Sequence, residues 1–173
     1  MKYLHLMFKT DNDLSTLIAR VMLGLVFFPH GAQKALGWYG GYGFNGTMEF
    51  FTATMGIPAL FAFLAIAAEF GGAIALVLGF FTRLSALAIA SVMAVAIAMV
   101  HGQYGFFMNW YGNQKGEGFE YHLLALALAV LLTLRGGGKW SVDATIANAL
   151  ATPETEANNL PVETRKPAHA YAK

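Results

Sequence analysis

The 173-residue chain contains no cysteine. Disulfides, thiolate metal sites and thiol redox chemistry are therefore excluded, and any redox role needs a borrowed cofactor. Charge is also scarce: Asp, Glu, Lys and Arg make up 12% of the residues, about half the share in ordinary soluble domains. A net charge of +1 gives no electrostatic footprint for nucleic acid. Haem-attachment, flavin, nicotinamide and iron–sulfur signatures are missing, so no covalent or nucleotide cofactor is expected. What is present is apolar: 57% hydrophobic residues and a mean hydropathy of +0.51. That composition indicates an all-α, multi-spanning membrane protein.

A bilayer core of about 30 Å needs roughly 20 mostly apolar residues in a helix. Four stretches answer to this, at about Leu14–Leu36, Ala59–Phe81, Leu84–His101 and Phe119–Leu134. They predict an integral membrane four-helix bundle over residues 1–145, followed by a flexible cytoplasmic tail, 146–173. The tail includes the polar, aperiodic stretch "ATPETEANNLPVETRKPAHAYAK". The first stretch does not read as a cleaved leader, because Arg20 interrupts it and no A-x-A site precedes Lys34. Lys2, Lys9, Arg83, Arg135, Lys139, Arg165, Lys166 and Lys173 fall on the side of the termini, against Lys34 and Lys115 opposite. Both termini are therefore expected in the cytoplasm.

The two loops on the other side are rich in Gly, Trp, Tyr and Phe, as suits a membrane–water interface. In the first, Asn45 is expected to cap a short amphipathic helix ending at Gly56, with Phe44, Met48, Phe51 and Met55 on one stripe. It reads either as an interfacial anchor or as a lid over the bundle.

The segment "RVMLGLVFFPHGAQKALG", residues 20–37, carries Arg20, His30 and Lys34 inside an apolar run. At about 100° per residue the three share one face with Gly24 and Gly31. Small residues let helices approach closely, and an Arg facing lipid costs at least about 2.5–3.5 kcal/mol. That face should therefore meet another helix and find an anion there. Glu69, flanked by Ala62, Ala65, Gly72 and Ala73, is the anion on the second span. An Arg20–Glu69 ion pair is expected, with Glu69–His30 as the alternative; either could serve only to fix helix register. His101, Glu120 and His122 gather near the same end as His30 and Lys34. Glu120 and His122 are two residues apart on a helix, so only one should face inward. Arg20, His30, Lys34, Glu69, His101, Glu120 and His122 form the candidate polar cluster. A metal held by the three histidines has no supporting spacing signature, and none is expected.

At these residues the sequence resembles the DoxX family of small bacterial membrane proteins. The resemblance rests on the Arg, Gly, Phe, Gly and Lys of residues 20–37 and on "AEFGGAIALVLGFFTRLSA", residues 68–86. It continues through His101, the following "GFF", "GEGFEYHLLALALAVLL" and "GGGKWSVD", residues 136–143, and covers about residues 14–145. It implies a multi-pass protein of the bacterial cytoplasmic (inner) membrane. The family's name-giving members are subunits of a thiosulfate:quinone oxidoreductase. The implied role is therefore a membrane subunit of a quinone-linked oxidoreductase system, with quinone or quinol as cofactor. The implied partners are the lipid bilayer, other oxidoreductase subunits and further copies of the chain, but no nucleic acid. No residue carries over as catalytic. A non-enzymatic scaffold or assembly factor, or a small transporter, are the competing readings.

Overall fold

The computed structural model describes residues 7–150. Six α-helices and no strand occur among them: α1 Leu14–Leu36, α2 Gly43–Glu49, α3 Ala59–Leu78, α4 Thr82–Ala96, α5 Glu120–Arg135 and α6 Val142–Leu150. Two of the helices are prolonged by π turns, α2 by Phe50–Thr54 and α4 by Ile97–His101. A 3-10 turn, Gly102–Tyr104, continues α4 further. Residues 151–173 of the expected tail lie outside the described residues, and α6 carries helix past the expected start of that tail at 146.

Local chemistry sets the helix ends. Asp13 caps α1, its carboxylate accepting from the Ser15 and Thr16 amides at 3.2 and 3.3 Å. Gly37 ends the helix at φ +75°, a conformation that costs a glycine little. Inside α1, Pro29 cannot donate to the Leu25 carbonyl, which interrupts the ladder just before His30. α3 stops at Gly79, φ +69°, earlier than the expected Phe81, so the turn into α4 is Gly79–Phe81.

Helix α1 lies against α3 and α4 against α5, and the ring closes through α3–α4 and α1–α5. A methyl on Gly24 would meet the Ala73 carbonyl at 2.8 Å, and one on Gly31 would meet Phe70 Cα at 2.5 Å. The two glycines therefore let α1 press directly onto the α3 backbone. Leu23, Phe27, Ala73, Leu76, Ile89, Met93, Ala129 and Leu132 fill the centre. Outside, Ile18, Leu25, Phe61, Leu87, Leu124 and Leu134 are exposed. An apolar exterior is what a hydrocarbon solvent requires.

Three helical stretches, Leu14–Leu36, Ala59–Leu78 and Thr82–Tyr104, are long and apolar enough to cross a membrane. The fourth, α5, has 16 residues, about 24 Å at about 1.5 Å per residue. It is shorter because the second loop folds back onto its start: Phe119 and Glu120 donate their amides to the Gly105 and Phe106 carbonyls.

At the end of the molecule where the chain enters α1, a clasp joins all the long helices. Arg20 is 2% exposed. It donates to the Leu76 and Val77 carbonyls at the C-terminus of α3, and to Gly137, Lys139 and Trp140. Arg83 donates to Thr133 and Leu134 at the C-terminus of α5. Each guanidinium satisfies carbonyls that a helix end leaves orphaned. Asp143 accepts from the Phe81 and Thr82 amides at 2.8 and 2.9 Å, capping α4 from across the chain.

Candidate functional site

The opposite end, which carries the two long loops, holds the polar groups. Glu69 is buried, and its partner is Lys34, whose Nζ lies 2.6 Å from Oε2. This corrects the expected Arg20–Glu69 pair and its His30 alternative. The reason is register. Gly31 lies level with Glu69 and Phe70, and Arg20 with Gly79. Eleven residues separate Arg20 from Gly31, about 16 Å along α1, which is beyond the reach of an arginine. Lys34 is three residues past Gly31, on the same face and within one turn of Glu69.

His101 and His122 come together from α4 and α5, with ring centroids 4.1 Å apart. The π turn Ile97–His101 inserts one extra residue per turn at the end of α4, and His101 closes it. His101 Nδ1 lies 2.9 Å from the Glu117 carbonyl. A carbonyl only accepts, so Nδ1 carries the hydrogen, and in the uncharged form of the ring Nε2 is the acceptor. The Glu117 carboxylate accepts from the Asn109 amide at 2.6 Å, which anchors the second loop beside the histidines. Of the Glu120 and His122 pair, His122 is buried at 5% exposure. Glu120 instead accepts from Trp110 Nε1 at the rim, 3.1 Å away.

These groups line one cavity of about 1040 Å³. His30, Lys34, Glu69, His101 and His122 all contribute to its wall, while Arg20 and Glu120 do not. The remaining wall is largely apolar, from α3, α4 and the first loop, with Phe27 and Tyr121 stacked at 6.4 Å. The short helix of the first loop lines it through Phe50, Phe51 and Met55. The sequence pointed to Asn45 as its cap, but the cap is Tyr42, which makes no side-chain hydrogen bond there. The helix starts earlier because Gly43 adopts φ +67°, which lets the chain turn directly into it.

Two buried polar atoms of residues that line this cavity, Tyr121 Oη and His122 Nδ1, have no partner among the described residues. Orphaned buried polar atoms are uncommon and costly, at about 1–3 kcal/mol each. Tyr121 and Glu117 escaped the sequence reading. The signal for Tyr121 was its spacing: it lies four residues before Ala125, which is buried on the face α5 turns inward. Glu117 acts through its backbone carbonyl, for which side-chain type gives no signal. No group of three or more imidazole or carboxylate side chains among the described residues could hold a metal ion.

Comparison with known proteins gives the context. The family profile described as DoxX matches residues 15–102. The "Inner membrane protein YqjF" of Escherichia coli (strain K12) is 29% identical over 135 residues, covering 78% of this chain and 94% of that protein. "Putative oxidoreductase CatD" of Bacillus subtilis (strain 168) is 31% identical over 121 residues, 70% of this chain and 80% of that protein. The "Inner membrane protein YphA" of Escherichia coli (strain K12) is 32% identical over 133 residues, 73% and 86% of the two chains. No solved structure matches. The ordered motifs, the apolar helices and these matches lead to one assignment: the chain belongs to the DoxX family.

Proposed function

We propose that the protein binds a quinone or quinol in the loop-end cavity and acts as a membrane subunit of a quinone-linked oxidoreductase system. The supporting observation is a large and mostly apolar cavity lined by Tyr121 and His122, two residues whose buried polar atoms Oη and Nδ1 have no partner among the described residues. A quinone ring needs an apolar slot with hydrogen-bond donors at its carbonyls, and a quinol needs acceptors at its hydroxyls. The donor set fits both. Tyr121 Oη can donate or accept, the neutral His122 ring can do either through its tautomers, and His101 Nε2 accepts. Phe27 and Tyr121 supply a flat wall for the ring. The Lys34–Glu69 pair places two opposite charges in the same wall. A bound quinone or quinol would supply the two-electron chemistry, with the electron partner on another protein.

In this reading four helices span the bacterial inner membrane, α5 included. The clasp and both termini face the cytoplasm, and the cavity lies in the outer half. The name of the Bacillus subtilis relative supports the oxidoreductase assignment. A scaffold role draws support from Trp110 and Tyr111, which are 79% and 91% exposed on the second loop. Titration of decylubiquinone into the protein in lipid nanodiscs separates the two. Saturable one-to-one binding, weakened about tenfold by Tyr121→Phe, is the expected result for one lost hydrogen bond. Absence of saturable binding by decylubiquinone and by a menaquinone analogue would overturn the proposal.

A further inference from the structure

The cavity is not shut on all sides. Toward the loops its wall includes Phe50, Phe51 and Met55 of the lid together with Met108 and Glu117 of the second loop. Its flank is different. Helices α3 and α4 meet closely at Gly72, where a methyl would lie 3.8 Å from Ile89 and from the Ser85 carbonyl. From that level toward the loops the positions Leu64, Ala68, Ala88, Ser91 and Val95 line the cavity, and Leu84 lines it from the clasp side. Leu64 and Val95 are at the same time 48% and 49% exposed on the outer, apolar surface. That exposure places both residues at an edge of the cavity and not deep in its wall. Both π turns among the described residues border the same space, through Phe50 and Phe51 of the first loop and Met99 to His101 after α4. A π turn widens a helix and commonly marks a ligand site.

We infer that the cavity opens sideways into the bilayer between α3 and α4, so that its ligand arrives through the membrane and leaves its hydrocarbon tail in that gap. The identity of the occupant rests on the quinone reading above; the route rests on the geometry of α3 and α4. The polar head belongs at Tyr121 and His122, and the tail lies along Ala68, Ala88 and Ser91, where small side chains leave room for a chain. Water is held off by the lid. The membrane-exposed mouth carries no charged group, so an amphiphile with a long apolar tail is preferred over a water-soluble molecule with the same head.

The cysteine-free chain allows a direct test. A nitroxide spin label at Ala96→Cys, inside the cavity, is read in nanodiscs by its collisions with oxygen and with a water-soluble nickel chelate. Leu124→Cys provides the lipid reference and Tyr111→Cys the water reference. A lateral mouth gives an oxygen accessibility close to that of the Leu124 site, with little nickel access, and Ala68→Phe lowers the oxygen value several-fold. If the labelled Ala96 variant does not elute as the wild type, Ser91→Cys at the mouth is read in its place. Nickel access like that at Tyr111, or no access by either reagent, overturns the route. In parallel, decylubiquinone should bind at least tenfold more tightly than the tail-less ring, and Ala68→Phe should erase that preference. Oxygen access without binding of any quinone leaves the lateral route standing and overturns the quinone reading; equal binding of tailed and tail-less rings overturns the tail site.

Discussion

Lys34 and Glu69 are the charged pair closest to the cavity, and their energetics follow from unequal burial. The Glu69 side chain is 6% exposed and the Lys34 side chain 27%. Removing the carboxylate leaves an ammonium that still reaches some solvent. Glu69→Ala should therefore cost roughly 2 kcal/mol, below the ~3–5 kcal/mol of a fully enclosed pair, and Glu69→Gln should cost less. The double variant Lys34→Met with Glu69→Leu should recover most of the loss, which thermal unfolding of the four proteins in one detergent would show. Asp13 gives a pH prediction outside the spans. The side-chain hydrogen bond from Ser15, then that from Thr16, lowers its pKa to about 2. A lowered carboxylate pKa gives stability that is complete above the unfolded value near ~3.9 and lost as pH falls through the folded one. Wild type should thus exceed Asp13→Ala in melting temperature at pH 5, with the gap closing between about pH 4 and pH 2. Which residues were polar and intramembrane was legible in the sequence; who pairs with whom was not. A helical wheel places Arg20 and Lys34 on one face, but only the offset between α1 and α3, set where Gly31 meets Glu69, decides that lysine is the partner.

The helices themselves carry two further predictions. Gly31 touches backbone on α3, whereas a methyl on Gly71 would meet nothing within 4 Å. Gly31→Ala should lower the melting temperature by several degrees and disturb the cavity, because neither backbone can yield. Gly71→Ala should leave the melting temperature unchanged or raised, since alanine favours helix over glycine by about 1 kcal/mol. The π turn Ile97–His101 is the second case. The π turn already takes up one extra residue, so one more alanine inserted after the exposed Ala98 is carried as regular helix and turns His101 by about 100° away from His122. Helix content should be kept and quinone affinity lost, as circular dichroism and titration on one sample would show. Hydropathy and small-residue faces made α1, α3 and α4 readable. The π turns were not, since a single inserted residue leaves no mark in an apolar run. The capping partners of α4 were equally hidden, because Asp143 reaches it from 61 positions away along the chain.

For the molecule as a whole, the two ends do different work. One end is a clasp of arginines on helix carbonyls and an aspartate on helix amides; the other is a cavity lined by His30, Lys34, Glu69, His101 and His122. Function is therefore expected to be lost by changes at the loop end that leave stability intact, and stability by changes at the clasp. Arg20→Lys should destabilise although it keeps the charge, because an ammonium cannot reach the five carbonyls that the guanidinium serves. The family resemblance and the membrane setting could be read from ordered motifs and composition, while the cavity needed coordinates, because it is assembled from six segments that are distant in sequence. The most direct measurement of the central claim is extraction of the protein from its native membrane in polymer-bounded lipid discs, followed by quantification of quinone per chain against quinone per lipid. The account predicts about one quinone per chain above the membrane background, reduced by the paired change Tyr121→Phe with His122→Phe. Quinone at the bulk lipid ratio in both proteins would contradict it.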